Sequence, residues 1–294
     1  MKKIIAITGA SGLIGSALKL ALESDGHKVL SLSRHGGNDS HEWWPTTVLN
    51  TRQHLEEATH LIHLAGDNIA RRPWTKKRKE ALLQNRTLLA KHVTSMCAEM
   101  PKLEHLIVGS ATGFYGTTGE EPCTEETPAG SDFSATLCKT IESHATAPKG
   151  VKLTYIRTSP VLAKHDGVLK KMLPSFMLGL GGRMGSGKQP FAWISLEDEV
   201  RAIQHIIETE LEGPVNLATP AKDTQGSFAK ALGQALKRPT LFITPAFVLR
   251  FILRDMADEL LLGGRTIVPE KLEKSGFTFK HPTLESAFKD IFKK

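Results

Sequence analysis

Ser110 and Tyr115 lie five residues apart in the stretch GSATGFYGTTGEEPC (109–123), and their types suit proton transfer beside a reacting carbon. A phenol can exchange a proton with a substrate, and a lysine one helical turn further on would make it more acidic. The chain has only two tyrosines, Tyr115 and Tyr155. Gly119 stands four residues after the first and Ser159 four after the second, so neither has its lysine. Ser110 and Tyr115 are the catalytic candidates, without the usual partner.

The other chemistry-bearing pattern is at the start. KKIIAIT (2–8) is a β-branched run without helical period and reads as a buried strand. It runs into GASGLIG, with Gly9, Gly12 and Gly15, then into SALKLALESDG, an apolar-periodic helix ending at Gly26. HKVLSLSR (27–34) follows as a second strand. A strand, glycine turn, helix and strand in this order make a dinucleotide site credible. Side chains in the turn would block the backbone N–H groups from a pyrophosphate, and the helix N-terminus faces it with its positive end. The spacing is GxxGxxG, one residue longer in the first gap than the commoner GxGxxG. The second strand ends in Ser33 and Arg34, where an acid would bind the ribose hydroxyl of NAD and an arginine accommodates the 2′-phosphate of NADP. The expected cofactor is NADP(H) in preference to NAD(H).

These groups must be positioned by a sheet. ATHLIHLAG (58–66) reads as a further strand whose small exit, Leu64, Ala65 and Gly66, lets a cofactor lie close. His60 and His63 point to opposite faces of that strand and read as structural rather than metal-binding. A long helix over 76–100 carries Asn85 and Arg86 in its middle. Strands over 103–112 and 151–162, the latter interrupted by Pro160, enclose a helix capped by Ser131 or Asp132. The alternation over 1–162 predicts an α/β, Rossmann-type doubly wound parallel sheet. Beyond it the expectation is a smaller, mostly helical C-terminal substrate region over 163–294, with 196–217 returning to the core sheet. GRMGSGKQ (182–189) approaches a nucleotide P-loop, but Gln189 replaces the metal-binding Ser or Thr, so no ATP site is expected.

Bulk properties narrow the classes. The 294 residues suffice for one or two domains. No apolar run approaches the ~18–20 residues that span a bilayer, and MKKIIAIT reads as a first strand rather than a leader, so no membrane partner is expected. Three cysteines without metal-like spacing fit a reduced, cytoplasmic protein with no metal site. The net charge of +7 suits phosphate-bearing ligands. The most basic stretch, ARRPWTKKRKE (70–80), offers only Trp74 for stacking, which argues against nucleic acid.

The glycine turn, HLAG, SATGFYG and WISLEDEVRAI occur in one order over the whole chain. Together they resemble extended short-chain dehydrogenase/reductases of the NAD-dependent epimerase/dehydratase family. LAGDNIARRPWT, GLGGRMGSGKQPFAWI, GPVNLATP and RTIVPEKLEKSGF are similar to its atypical YfcH-like epimerase-family proteins. The resemblance implies NADP(H) held at Gly9, Ser11, Gly12, Leu13, Ile14 and Gly15, with Ser33 and Arg34 at the 2′-phosphate and further contacts from Leu64, Ala65, Arg86 and Val161. It puts Ser110 at the family's serine, Tyr115 at a substrate-side position, and Arg183, Gln189 and Trp193 on the substrate side. It also puts Phe133 and Ser134 where the tyrosine belongs and Leu137 and Cys138 where the lysine belongs; Lys139 stands off that helical face. The implied function is oxidoreductase or epimerase-like chemistry on a small polar or phosphorylated, nucleotide-sugar-like substrate, expected to be anionic. The alternative is a non-catalytic NADP(H)-binding sensor or scaffold. Neither substrate identity nor oligomeric state is legible.

Overall fold

The computed structural model describes residues 2–33, 41–42 and 55–293. Its centre is a seven-stranded parallel sheet in the order β10-β6-β5-β4-β1-β2-β3. The strands are β1 (Ile4–Thr8), β2 (Lys28–Ser33), β3 (His41–Glu42), β4 (His60–His63), β5 (His105–Ala111), β6 (Lys152–Thr158) and β10 (Gly213–Leu217). Parallel strands covered on both faces must be apolar on both. Accordingly Ile5 and Ile7 enter one core cluster with Ile62, Ile107 and Ile156, while Ala6, Leu61, Leu106 and Val108 enter the other. Helices α1 (Leu13–Ser24) and α5 (Leu196–Thr209) cover the first face. Helices α2 (Lys76–Cys97) and α3 (Phe133–His144) cover the second. The doubly wound fold expected from the sequence is therefore present.

β10 pairs with β6 through Val215 and Ile156, so the chain over 196–217 rejoins the sheet after a long excursion. Pro160 breaks the sixth strand as expected, and β7 (Val161–Ala163) leaves to pair with β9 (Ile194–Ser195). A third apolar cluster, with Leu169, Phe176, Trp193, Phe228 and Phe288, joins α4 (Gly167–Met177), α6 (Gln225–Leu236) and α10 (Leu284–Ile291). β8 (Gly182–Met184) and β11 (Phe242–Thr244) form a small parallel pair beside it. Helices α7 (Ala246–Leu253), α8 (Asp255–Ala257) and α9 (Glu270–Lys274) complete the C-terminal part, with a π-turn over Asp258–Leu262. Cys97, Cys123 and Cys138 are buried and free.

The core contains ionisable groups held neutral. His60 packs between Lys3 and Thr59, His63 meets the Thr8 hydroxyl at 2.7 Å, and His105 meets Thr154 at 2.7 Å. Burial lowers His60 and His63 to about 3 and His105 to about 4. Glu199, on the first turn of α5, is fully buried and accepts from Thr158 Oγ1 at 2.8 Å, while its Oε2 has no partner. Burial pushes its carboxyl up to about 8.

These shifts act on stability with opposite signs. Below pH ~6.5 the unfolded chain takes up protons on three histidines that the fold refuses, so stability falls as pH drops toward 4. Glu199 ionises in the unfolded chain from pH ~4.5 but not in the fold until about 8, so stability also falls as pH rises through that window. Urea titrations are expected to show a maximum near pH ~6.5. Glu199→Gln is expected to flatten the alkaline limb, by up to ~1.4 kcal/mol per pH unit, and to steepen the acid limb above pH ~4.5. An alkaline limb unchanged in Glu199→Gln would contradict the assignment.

Candidate functional site

Strand order reverses between β1 and β4, and a crevice outside their carboxyl ends is where open α/β sheets bind ligands. A cleft of about 530 Å³ lies there. Its floor is the glycine turn, with Gly9, Gly12, Leu13, Ile14 and Gly15 on its surface. Gly9 has φ +76°, and a Cβ there would come within 2.9 Å of the Leu64 and Ala65 backbone. A Cβ on Gly15 would sit 2.3 Å from the Gly9 carbonyl oxygen. Glycine is thus required where the turn passes β4 and where α1 presses on the turn. Gly12 caps α1 without a side-chain hydrogen bond, and no acid stands in the helix's first turn. A helix end left open in this way, over a turn cleared of side chains, fits a pyrophosphate. Ser11 is exposed on the same turn.

The expected neighbours divide. Leu64 and Arg86 line the cleft. Arg86 donates to the Asp67 carbonyl at 2.9 Å and packs over Gly66, where a Cβ would lie 1.6 Å from the guanidinium and oblige it to shift. Asn85 instead accepts from the Asp67 N–H. Ala65 is held behind the wall, its N–H donating to Thr8 Oγ1 at 3.3 Å. Val161 is not on the wall: it packs against the α1/α5 core, and Thr158, Ser159 and Pro160 take its place. Ser33 ends β2; Arg34 lies outside the described residues.

Ser110 lines the cleft, but its hydroxyl donates to Glu142 Oε1 at 2.8 Å. Glu142 is clamped by Arg157, with Nε to Oε1 at 3.0 Å and Nη2 to Oε2 at 2.8 Å. With its proton directed backward, Ser110 offers the cleft an acceptor. The same arginine accounts for Tyr115, whose expected place on the substrate side is not met. Tyr115 is 2% exposed, is not on the cleft wall, accepts from Arg157 Nη1 at 2.9 Å and donates to Asn216 Oδ1 at 2.6 Å. Burial pushes its hydroxyl up to about 12 despite Arg157. It is a structural strut joining the 3-10 turn Thr112–Tyr115 to β6 and β10 rather than an acid facing a substrate. Cys138, at the lysine position, does line the cleft, but burial raises its thiol to about 11. Lys139 points to solvent.

The three substrate-side expectations also need correction. Trp193 is fully buried in the C-terminal core and donates to Asp223 Oδ2 at 2.9 Å. Gln189 braces two loops, donating to the Met184 and Leu261 carbonyls. Arg183 is exposed on β8 and off the cleft wall. Their neighbours Pro190, Phe191 and Ala192 face the cleft instead. Sequence reasoning missed Ser134, Glu259 and Arg265, which also line it. Arg265 reaches it by bonding the Thr118 and Glu121 carbonyls from 144 residues or more away, a pairing without local signal. Arg157 did carry a signal: a lone arginine inside an apolar central strand.

Removing the Tyr115 hydroxyl leaves Asn216 Oδ1 without its buried donor. Tyr115→Phe is therefore expected to lose about 1–3 kcal/mol of stability in urea unfolding while leaving dinucleotide affinity unchanged in calorimetry. A large loss of affinity at unchanged stability would return Tyr115 to the site.

Comparison with known proteins agrees with this geometry. The model of the NAD dependent epimerase/dehydratase family matches residues 5–218, and a domain of unknown function, DUF1731, matches 244–291. The epimerase family protein Mb2239 of Mycobacterium bovis is 40% identical over 290 residues, covering 97% of this chain and 96% of its own. Human SDR39U1, also an epimerase family protein, is 30% identical over 98% of this chain and 99% of its own. The crystal structure of human SDR39U1 isoform 2 with NADPH superposes with a TM-score of 0.90 at 26% identity, over 98% of each chain. An uncapped helix over a glycine turn at the switch point, carried on this sheet and matched along nearly its full length, places the chain in the NAD-dependent epimerase/dehydratase family, among the SDR39U1-like epimerase family proteins.

Proposed function

We propose that the protein binds NADP(H) in the cleft and carries out oxidoreductase or epimerase-like chemistry on a small anionic substrate. The observation that carries this reading is the continuity of the glycine turn with the Ser110 wall in one cleft. The NADPH in the human relative's crystal structure supports the choice of cofactor, as does the arginine, Arg34, that follows Ser33 in the sequence. The cofactor would supply the hydride acceptor or donor. The N–H groups opening α1 would hold its phosphates, and the close packing of Gly9 against the Leu64 and Ala65 backbone at the exit of β4 would fix their direction. Ser110, its own proton committed to Glu142, would accept from a substrate hydroxyl and so orient it.

A second reading has a specific observation behind it. Tyr115 is sealed in the interior, and no lysine lines the cleft among the described residues. A non-catalytic NADP(H)-binding sensor or scaffold would need no proton donor there.

The cofactor assignment is tested by thermal unfolding. NADP+ at one hundred times its dissociation constant is expected to stabilise the protein by about 2.7 kcal/mol, and NAD+ at the same concentration by much less. Arg34→Glu is expected to abolish that preference, and Gly15→Ala to weaken both. Absence of any shift with either dinucleotide would overturn the reading. A change in NADPH absorbance, formation from NADP+ with hydroxy acids and nucleotide sugars or consumption with keto acids, that is lost in Ser110→Ala would separate the enzyme from the sensor.

A further inference from the structure

The tyrosine of related enzymes belongs at the start of α3, and a carboxylate from far along the chain lies against that helix end. Glu259 Oε2 accepts from the Ser134 N–H at 2.7 Å and Oε1 from the Phe133 N–H at 3.3 Å. Asp132, the N-cap, takes the next N–H, that of Ala135, at 3.0 Å. Glu259 is half-buried and lines the cleft. It is carried by the π-turn, a backbone form that recurs at functional sites. The segment around it is held by the surface ion pairs Lys79 with Asp255 and Arg250 with Asp258, which are weak, by the Gln189 bond to the Leu261 carbonyl and by the buried Met256.

A second observation points to a ligand at this spot. Ser134 is 6% exposed and lines the cleft, yet its hydroxyl has no partner. A buried hydroxyl left unpaired is costly. Among the described residues the charged side chains on the cleft wall are Arg86, Arg265 and Glu259, so that among them positive charge exceeds negative even with Glu259 in place. Two successive N–H groups each bonded to one oxygen of a carboxylate describe a site that a second carboxylate would fit equally.

We propose that the N-terminus of α3, with the Ser134 hydroxyl, is the subsite for a carboxylate group of the substrate, and that Glu259 occupies it as a built-in stand-in which the substrate displaces. The proposal rests on the reading of this cleft as the substrate site and narrows it to a small carboxylate-bearing alcohol or carbonyl compound. Displacement releases Glu259 and leaves the Ser134 hydroxyl to complete the cradle around the incoming carboxylate.

The test needs neither cofactor nor turnover. In Glu259→Ala, sodium acetate at constant ionic strength is expected to shift the Ser134 and Phe133 amide NMR signals saturably, with a millimolar midpoint. In the unsubstituted protein the same titration should require at least about tenfold more acetate. Adding Ser134→Ala to Glu259→Ala should weaken acetate by several-fold. Glu259→Asp, whose shorter carboxylate withdraws from the helix, gives the same readout if the alanine variant does not fold. Signals that stay fixed under acetate in the folded variant would overturn the subsite, as would inorganic phosphate binding more tightly than acetate. NADP+ titration of the same samples keeps the two readings apart: loss of acetate binding with dinucleotide binding intact removes only the subsite.

Discussion

The structure depends on one backbone-on-backbone contact. The chain leaves β1, turns at Gly9 with positive φ against the exit of β4, and re-enters α1 so tightly that Gly15 lies under the Gly9 carbonyl. Any side chain at these points would push α1 off the sheet. With α1 seated, its open N-terminus faces the switch point, and Leu18 and Leu22 complete the core on that face. The same constraint therefore builds the fold and leaves a helix end free for an anion.

A second constraint, set deeper, fixes the far wall. Arg157 is 4% exposed on the central strand β6 and is satisfied on every side: Glu142 from α3, Tyr115 from the turn after β5, and the Glu125 carbonyl. Its guanidinium also lies 3.5 Å from the Phe114 ring centroid. A buried arginine is tolerable only when so enclosed. The cost to chemistry is that Ser110 and Tyr115 are both drawn into the network. One keeps a lone pair on the cleft and the other none.

Much of the fold was legible. The glycine turn, the alternating strands and the helical periods over 1–162 were readable because each is a local pattern whose period the backbone itself imposes. The glycine turn that floors the cleft was legible for the same reason: Gly9, Gly12, Leu13, Ile14 and Gly15 fall within seven residues of the chain. The substrate side was not. Trp193, Gln189 and Arg183 are conspicuous residue types, but they serve the C-terminal core and its loops, while the unremarkable Pro190, Phe191 and Ala192 face the cleft. Glu259 and Arg265 arrive from the far end of the chain through hydrogen bonds to backbone groups, which leave no trace in residue spacing.

The sequence by itself determined the doubly wound sheet, the glycine turn and the lack of a lysine four residues after either tyrosine, because periodicity, glycine placement and residue identity are properties of neighbours in the chain. The tertiary structure alone decided which way the Ser110 proton points, that Tyr115 is enclosed, and that a distant carboxylate rests on the start of α3. Those outcomes turn on hydrogen bonds between residues about 30 to 125 positions apart, and burial selects among such bonds only once the chain has packed.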